Sequence, residues 1–128
     1  MTWLLDTHCL IWTLTGDERL SPRARSVVAD PANRILVSAA TAWEVALKVA
    51  IGRLTIPVAP ERLLDIVTGP MRMETVPIEF VHALAAASLP PIHRDPFDRL
   101  LVAQAQALGV PILTADTRVA AYGVATAW

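Results

Sequence analysis

The chain has 128 residues, 54% of them apolar and 18% charged, with a formal net charge of −1. That length suits a single domain, 1–128, which can bury a core without disulfides or a structural metal, and the apolar share excludes intrinsic disorder. No apolar run reaches the roughly 18 residues that cross a bilayer.

The start of the chain lacks a basic segment, and Asp6 and His8 interrupt its apolar run, so a signal peptide is not expected and the cytoplasm is the expected location. Cys9 is the only cysteine, which excludes an intrachain disulfide and a cysteine-cluster zinc site. The charge balance gives no basic footprint for nucleic acid. The cations are nevertheless one-sided: Lys48 is the only lysine against ten arginines, and arginine is the better fork for phosphate.

In chain order, Thr2–Leu5 reads as a short buried strand ending at Asp6. An apolar helix follows around Trp12. Ser21-Pro22 opens a helix in the Ncap–N1 arrangement, running towards Asp30-Pro31. Arg34–Val37 is a second strand, and Ser38 caps a helix through about Ile51, closed by Gly52. Glu61–Val67 is a short helix before Gly69-Pro70. Glu74–Val76 is a strand followed by a helix through Ser88, and Leu89-Pro90-Pro91 is a loop. Asp95 caps a long helix to Leu108, closed by Gly109; Val110–Thr114 and Gly123–Thr126 are the last strands. Strands alternating with helices predict an α/β fold, a three-layer α/β/α sandwich on a mostly parallel sheet of four or five strands.

Four of the twelve acids stand where a merely solvated carboxylate is not expected. Asp6 and Asp116 fall at the carboxyl ends of expected parallel strands, where open α/β sheets place ligands; each could equally cap the turn or helix that follows. Glu44 shares a narrow polar stripe with Thr41 and Lys48 on an otherwise apolar helix, which reads either as a site or as a surface Glu44–Lys48 pair at i,i+4. Asp98 completes what resembles a capping box with Asp95 and Pro96, yet its helical position lies over Val102 and Ala105 on the packed face. Clustered carboxylates repel one another. A hard divalent cation such as Mg²⁺ or Mn²⁺ relieves that repulsion and suits phosphoryl chemistry.

Leu4-Leu5-Asp6-Thr7, Trp43-Glu44, Asp95-Pro96-Phe97-Asp98-Arg99-Leu100-Leu101 and Thr114-Ala115-Asp116 together resemble the PIN-domain ribonucleases, in particular VapC-type toxins of bacterial toxin–antitoxin pairs. Each fragment is weak alone, but the ordered set covers nearly the whole chain. The resemblance implies a PIN-like fold and a Mg²⁺- or Mn²⁺-dependent endoribonuclease that forms a homodimer and is inhibited by a small VapB-like antitoxin. Carried over by motif, Asp6, Glu44, Asp98 and Asp116 match the acidic metal-binding residues, and Thr7 and Thr114 the hydroxyl residues that accompany them. Asp95 and Arg99 are supporting candidates. The implied reaction is attack of an activated water on an RNA phosphodiester, leaving a 5′-phosphate and a 3′-hydroxyl.

Other readings are weaker. Haloacid-dehalogenase-like enzymes need a second Asp where His8 stands, receiver domains need a lysine at a late strand end, and no glycine-rich phosphate loop is present. A catalytically silent module that binds RNA or an antitoxin is the rival from another class. His8 reads as a helix-start residue, His82 as packed or exposed, and His93 as a loop residue near the site. The tryptophans read as core or interface. With the four acids gathered in one pocket, eleven cations face eight remaining acids, so the near-zero net charge does not exclude an RNA partner.

Overall fold

The computed structural model describes residues 1–128. Five strands form one sheet: β1 (Thr2–Leu5), β2 (Arg34–Ser38), β3 (Glu74–Val76), β4 (Ile112–Leu113) and β5 (Thr126–Ala127). Their order is β3-β2-β1-β4-β5 and every pairing is parallel. The helices are α1 (Thr7–Thr15), α2 (Pro22–Ala29), α3 (Ala39–Ala50), α4 (Leu63–Thr68), α5 (Phe80–Ala87), α6 (Pro96–Leu108) and α7 (Thr117–Ala120). A 3₁₀ turn, Pro60–Arg62, precedes α4, so the short helix expected from Glu61 is split in two.

Side-chain alternation along the strands explains the layering. Trp3, Leu5, Ile35, Val37 and Leu113 pack on one face with Cys9 and Leu10 of α1 and Ala24 of α2. Leu4, Leu36 and Ile112 pack on the other with Leu101, Val102 and Ala105 of α6. Both faces of the central strands are covered, so Trp3–Leu5, Ile35–Val37 and Ile112–Leu113 are apolar and buried, while Glu74 and Thr75 of the edge strand β3 are exposed.

The last two strands differ from the sequence expectation. Val110 donates its N–H back to Ala105 O as α6 closes, and Pro111 has no N–H, so β4 begins only at Ile112. Gly123 adopts φ +83° at the turn that ends the α7 segment, which delays β5 to Thr126.

Chain order runs outward from β1 in one direction through β2 and β3, and in the other through β4 and β5. The reversal lies between β1 and β4, whose register pairs Leu4 with Ile112 and Leu5 with Leu113. Parallel strands place their following residues at one edge of the sheet, and such a reversal opens a crevice there. Asp6 follows β1 at this edge, and Thr114 and Asp116 follow β4. No helix is long and apolar enough to cross a membrane.

Candidate active site

Asp6 is buried and caps α1: its Oδ1 accepts the Cys9 N–H at 2.7 Å. Its Oδ2 accepts the Thr114 hydroxyl at 2.5 Å, and Thr114 Oγ1 in turn accepts the Asp116 N–H at 3.0 Å. The capping and site readings of Asp6 are therefore compatible, because each uses a different oxygen. Burial pushes the Asp6 carboxyl above its ordinary range, against the Thr114 and Cys9 hydrogen bonds that lower it.

Glu44 lies on α3 and is only 2% exposed. Thr7, the first residue of α1, donates its hydroxyl to Glu44 Oε1 at 2.6 Å, while Lys48 pairs with Oε2 from one turn along the helix. Thr41, one turn earlier, is fully buried with its hydroxyl 3.3 Å from that of Thr7. The polar stripe of α3 thus faces inward, not to water as a surface pair would. The apolar flank of α3 is the part left outside: Trp43 is 59% exposed and meets the Phe97 ring edge-on at 5.2 Å.

Asp98 lies in the first turn of α6, which Asp95 caps by accepting the Phe97 and Asp98 N–H groups at 2.9 and 3.2 Å. Burial is the main cause that pushes the Asp98 carboxyl up to about 6; Asp95, Glu44 and Asp6 add to the rise, and a hydrogen bond with His93 opposes it. Asp116 caps α7, and Arg118 grips both its oxygens, at 2.8 Å on Oδ2 and 3.1 Å on Oδ1. Those hydrogen bonds hold the Asp116 carboxyl below its ordinary range.

Glu44 and Asp6 act electrostatically on Asp98, and Asp116 acts on Asp6. The tightest grouping contains Asp98, Asp116 and a residue that sequence reasoning placed only in a nearby loop: one ligand atom from each of His93, Asp98 and Asp116 lies within 4.8 Å of the others. His93 precedes Asp98 by five residues, and its Nε2 is 3.3 Å from Asp98 Oδ2. Tyr122, which joins His93 Nδ1 at 2.6 Å, carries no local signal; the fold brings it across 29 residues.

Arg99 stands beside this group, but its guanidinium is turned to main-chain carbonyls. It donates to Ala86, Leu89 and Pro90 oxygens at 3.0, 2.9 and 2.8 Å, closing the loop between α5 and α6. His82 is buried and closes a capping box: its Nδ1 accepts the Glu79 N–H at 2.9 Å. His8 is exposed and packs near Trp12. A cavity of about 550 Å³ is elsewhere, between α3, α4 and β3, and is lined mainly by apolar residues such as Leu63, Val67 and Val76. It holds none of the four acids.

The donor set fits a hard divalent cation. It consists of carboxylates, one of them, Asp98, raised by burial and then by its negative neighbours, and no lysine or arginine other than Lys48 and Arg118 pairs with the four acids.

Among the curated proteins, none matches the chain significantly. Several solved structures are similar in fold. VapBC2 from Rickettsia felis, solved bound to a DNA fragment from its promoter, aligns with a TM-score of 0.72 at 14% identity, covering 99% of this chain and 98% of that one. VapBC-1 from nontypeable Haemophilus influenzae gives 0.65 at 17%, covering 99% and 97%. FitAcB from Neisseria gonorrhoeae gives 0.58 at 21%, covering 98% and 96%. The PIN domain model matches residues 3–125, and the chain belongs to the PIN domain family.

Proposed function

We propose that this protein is a Mg²⁺- or Mn²⁺-dependent endoribonuclease, the toxin of a VapBC-type pair, held in check by a small VapB-like antitoxin. The observation that supports the reading is that Asp6 and Asp116 follow adjacent parallel strands at the carboxyl edge of the sheet, with Asp6 and Glu44 acting electrostatically on Asp98. PIN domains are generally nucleases, and the similar structures include VapBC complexes.

In this reading Asp6, Glu44, Asp98 and Asp116 hold the cation. When bound, it supplies a lowered pKa to water and neutralises charge on a phosphodiester. The chain's own residues do the rest. Thr114 and the Cys9 N–H fix the Asp6 carboxylate, and Thr7 and Lys48 fix Glu44. Asp95 holds the start of α6 so that Asp98 faces the crevice. The reading includes a homodimer, supported by Phe80, Val81 and Leu84 of α5, which are 81%, 65% and 59% exposed.

The test is RNA cleavage with Mg²⁺ or Mn²⁺ and with EDTA, beside Asp6→Asn and Asp98→Asn. Metal-dependent cleavage that leaves 5′-phosphates, and is lost in both variants, is the expected result. Cleavage that persists in EDTA, or 2′,3′-cyclic phosphate ends, overturns the mechanism. No cleavage under any condition, with harmless expression in cells, favours a silent binding module.

A further inference from the structure

We infer that His93 is a positioning residue for Asp98: Arg99 and Tyr122 fix its imidazole as the Nε2–H tautomer and aim that proton at Asp98 Oδ2. The argument is one of hydrogen-bond accounting. The Tyr122 oxygen receives the His93 backbone N–H and an Arg99 Nη1–H, each at 3.3 Å. Both groups can only donate, so the oxygen stands as acceptor towards them, the backbone N–H more firmly than Nη1, which shares its two protons among Tyr122, Pro90 O at 2.8 Å and His93 O at 3.5 Å. Its single proton is left for the remaining neighbour, His93 Nδ1, at 2.6 Å. Nδ1 therefore accepts, and the ring proton of the neutral imidazole sits on Nε2. Nε2 faces Asp98 Oδ2 at 3.3 Å, the one carboxylate in its hydrogen-bond reach.

The chain is enclosed. The His93 side chain is only 5% exposed, and Tyr122 is packed in the core beneath α6. Arg99 anchors the same unit from below, because the guanidinium that donates to Tyr122 also ties the loop carbonyls that lead into His93. The order is arginine, tyrosine, histidine, carboxylate.

The alternative role for a histidine this close to Asp98 and Asp116 is direct metal ligation. The two roles exclude each other. A ligating Nε2 needs its lone pair, and a donating Nε2 has a proton in its place. The tautomer decides between them.

The experiment has two parts. The metal-free protein is labelled with ¹⁵N-histidine and the ring nitrogens are read by long-range ¹H–¹⁵N correlation at about pH 8, where an ordinary histidine is neutral. His93→Gln assigns the signal. The expected result is the Nε2–H tautomer for His93, with its Nδ1 resonance moving towards that of an unbonded ring nitrogen in Tyr122→Phe, which keeps the packed ring. An Nδ1–H tautomer or a doubly protonated ring in the wild type overturns the inference.

The second part is calorimetric titration with Mn²⁺ alone, and it rests on the proposed metal-holding role of Asp98. His93→Ala weakens binding about tenfold, and His93→Gln, whose amide N–H replaces the Nε2–H, recovers most of it. A Gln variant no better than Ala overturns the positioning role in favour of direct ligation. If the wild type binds no Mn²⁺ while the tautomer is as expected, the metal reading of the site fails and the positioning of Asp98 stands.

Discussion

The Thr114 hydroxyl donates to Asp6 Oδ2 at 2.5 Å, joining residues 108 positions apart at the ends of adjacent strands. The bond works against the burial of Asp6, which raises that carboxyl. Thr114→Val keeps the shape and removes the donor. It also removes the acceptor that receives the Asp116 N–H. The expected outcome is a loss of about 2 kcal/mol in urea denaturation, as for a hydrogen bond to a buried charged group, with weaker Mn²⁺ binding at neutral pH.

Asp98 sets a pH dependence of opposite sign to the usual acid. Its folded carboxyl is pushed up to about 6 from an ordinary 3.8. Between those values the folded chain keeps a proton that the unfolded chain releases, so stability of the metal-free protein falls as pH rises through this window. Asp98→Asn removes the charge, and its amide oxygen still accepts from His93. It is expected to raise Tm in EDTA at pH 7, by about 1 kcal/mol in stability after allowing for solvent screening, with the gain vanishing below about pH 4. Mn²⁺ affinity of the wild type falls below pH 6 as the carboxyl takes its proton.

Glu44 and Lys48 form an asymmetric pair: the Glu44 side chain is 2% exposed and the Lys48 side chain 35%. Removing the lysine leaves a buried carboxylate with only the Thr7 hydroxyl. Lys48→Met is expected to cost about 1–2 kcal/mol, below the range for a fully buried pair because water reaches the vacated side. Combining it with Glu44→Gln restores most of the loss. A double-mutant cycle in chemical denaturation measures the coupling, and additive effects would contradict it.

Arg99→Lys keeps the charge and loses the fork. A single ammonium does not reach the Ala86, Leu89 and Pro90 carbonyls and the Tyr122 hydroxyl together. The expected result is a loss of about 2 kcal/mol, with faster amide hydrogen exchange confined to the segment between α5 and α6. Unchanged exchange there would show that the loop is held by other contacts.

Much of the fold was legible in the residues. Apolar runs gave the strands, Ser21-Pro22 and Asp95-Pro96 gave two helix starts, and Gly109 gave a helix end at φ +67°. The short strands were harder to bound, because β4 and β5 are two residues each and their limits are set by Pro111 and by the turn at Gly123. The candidate acids were visible for a local reason: Asp6 and Asp116 end apolar runs, Asp98 sits on the packed side of a helix start, and Glu44 stands one turn from the only lysine.

The partners of those acids are what tertiary structure decided. The sequence offered two readings of Glu44, and its burial under Thr7 excludes the solvated pair. Arg99 was a supporting candidate for the site, but five main-chain and side-chain oxygens claim its guanidinium. His93 reaches Asp98 through local chain, yet its proton is placed by Tyr122, which the sheet brings in from the far end of the chain. By itself the sequence determined which residues are apolar, which cap helices and which carry charge, because those are properties of neighbours along the chain. Which charge is buried, which lone pair is free and which proton points where depend on groups dozens of residues apart, and only the parallel sheet brings those groups together.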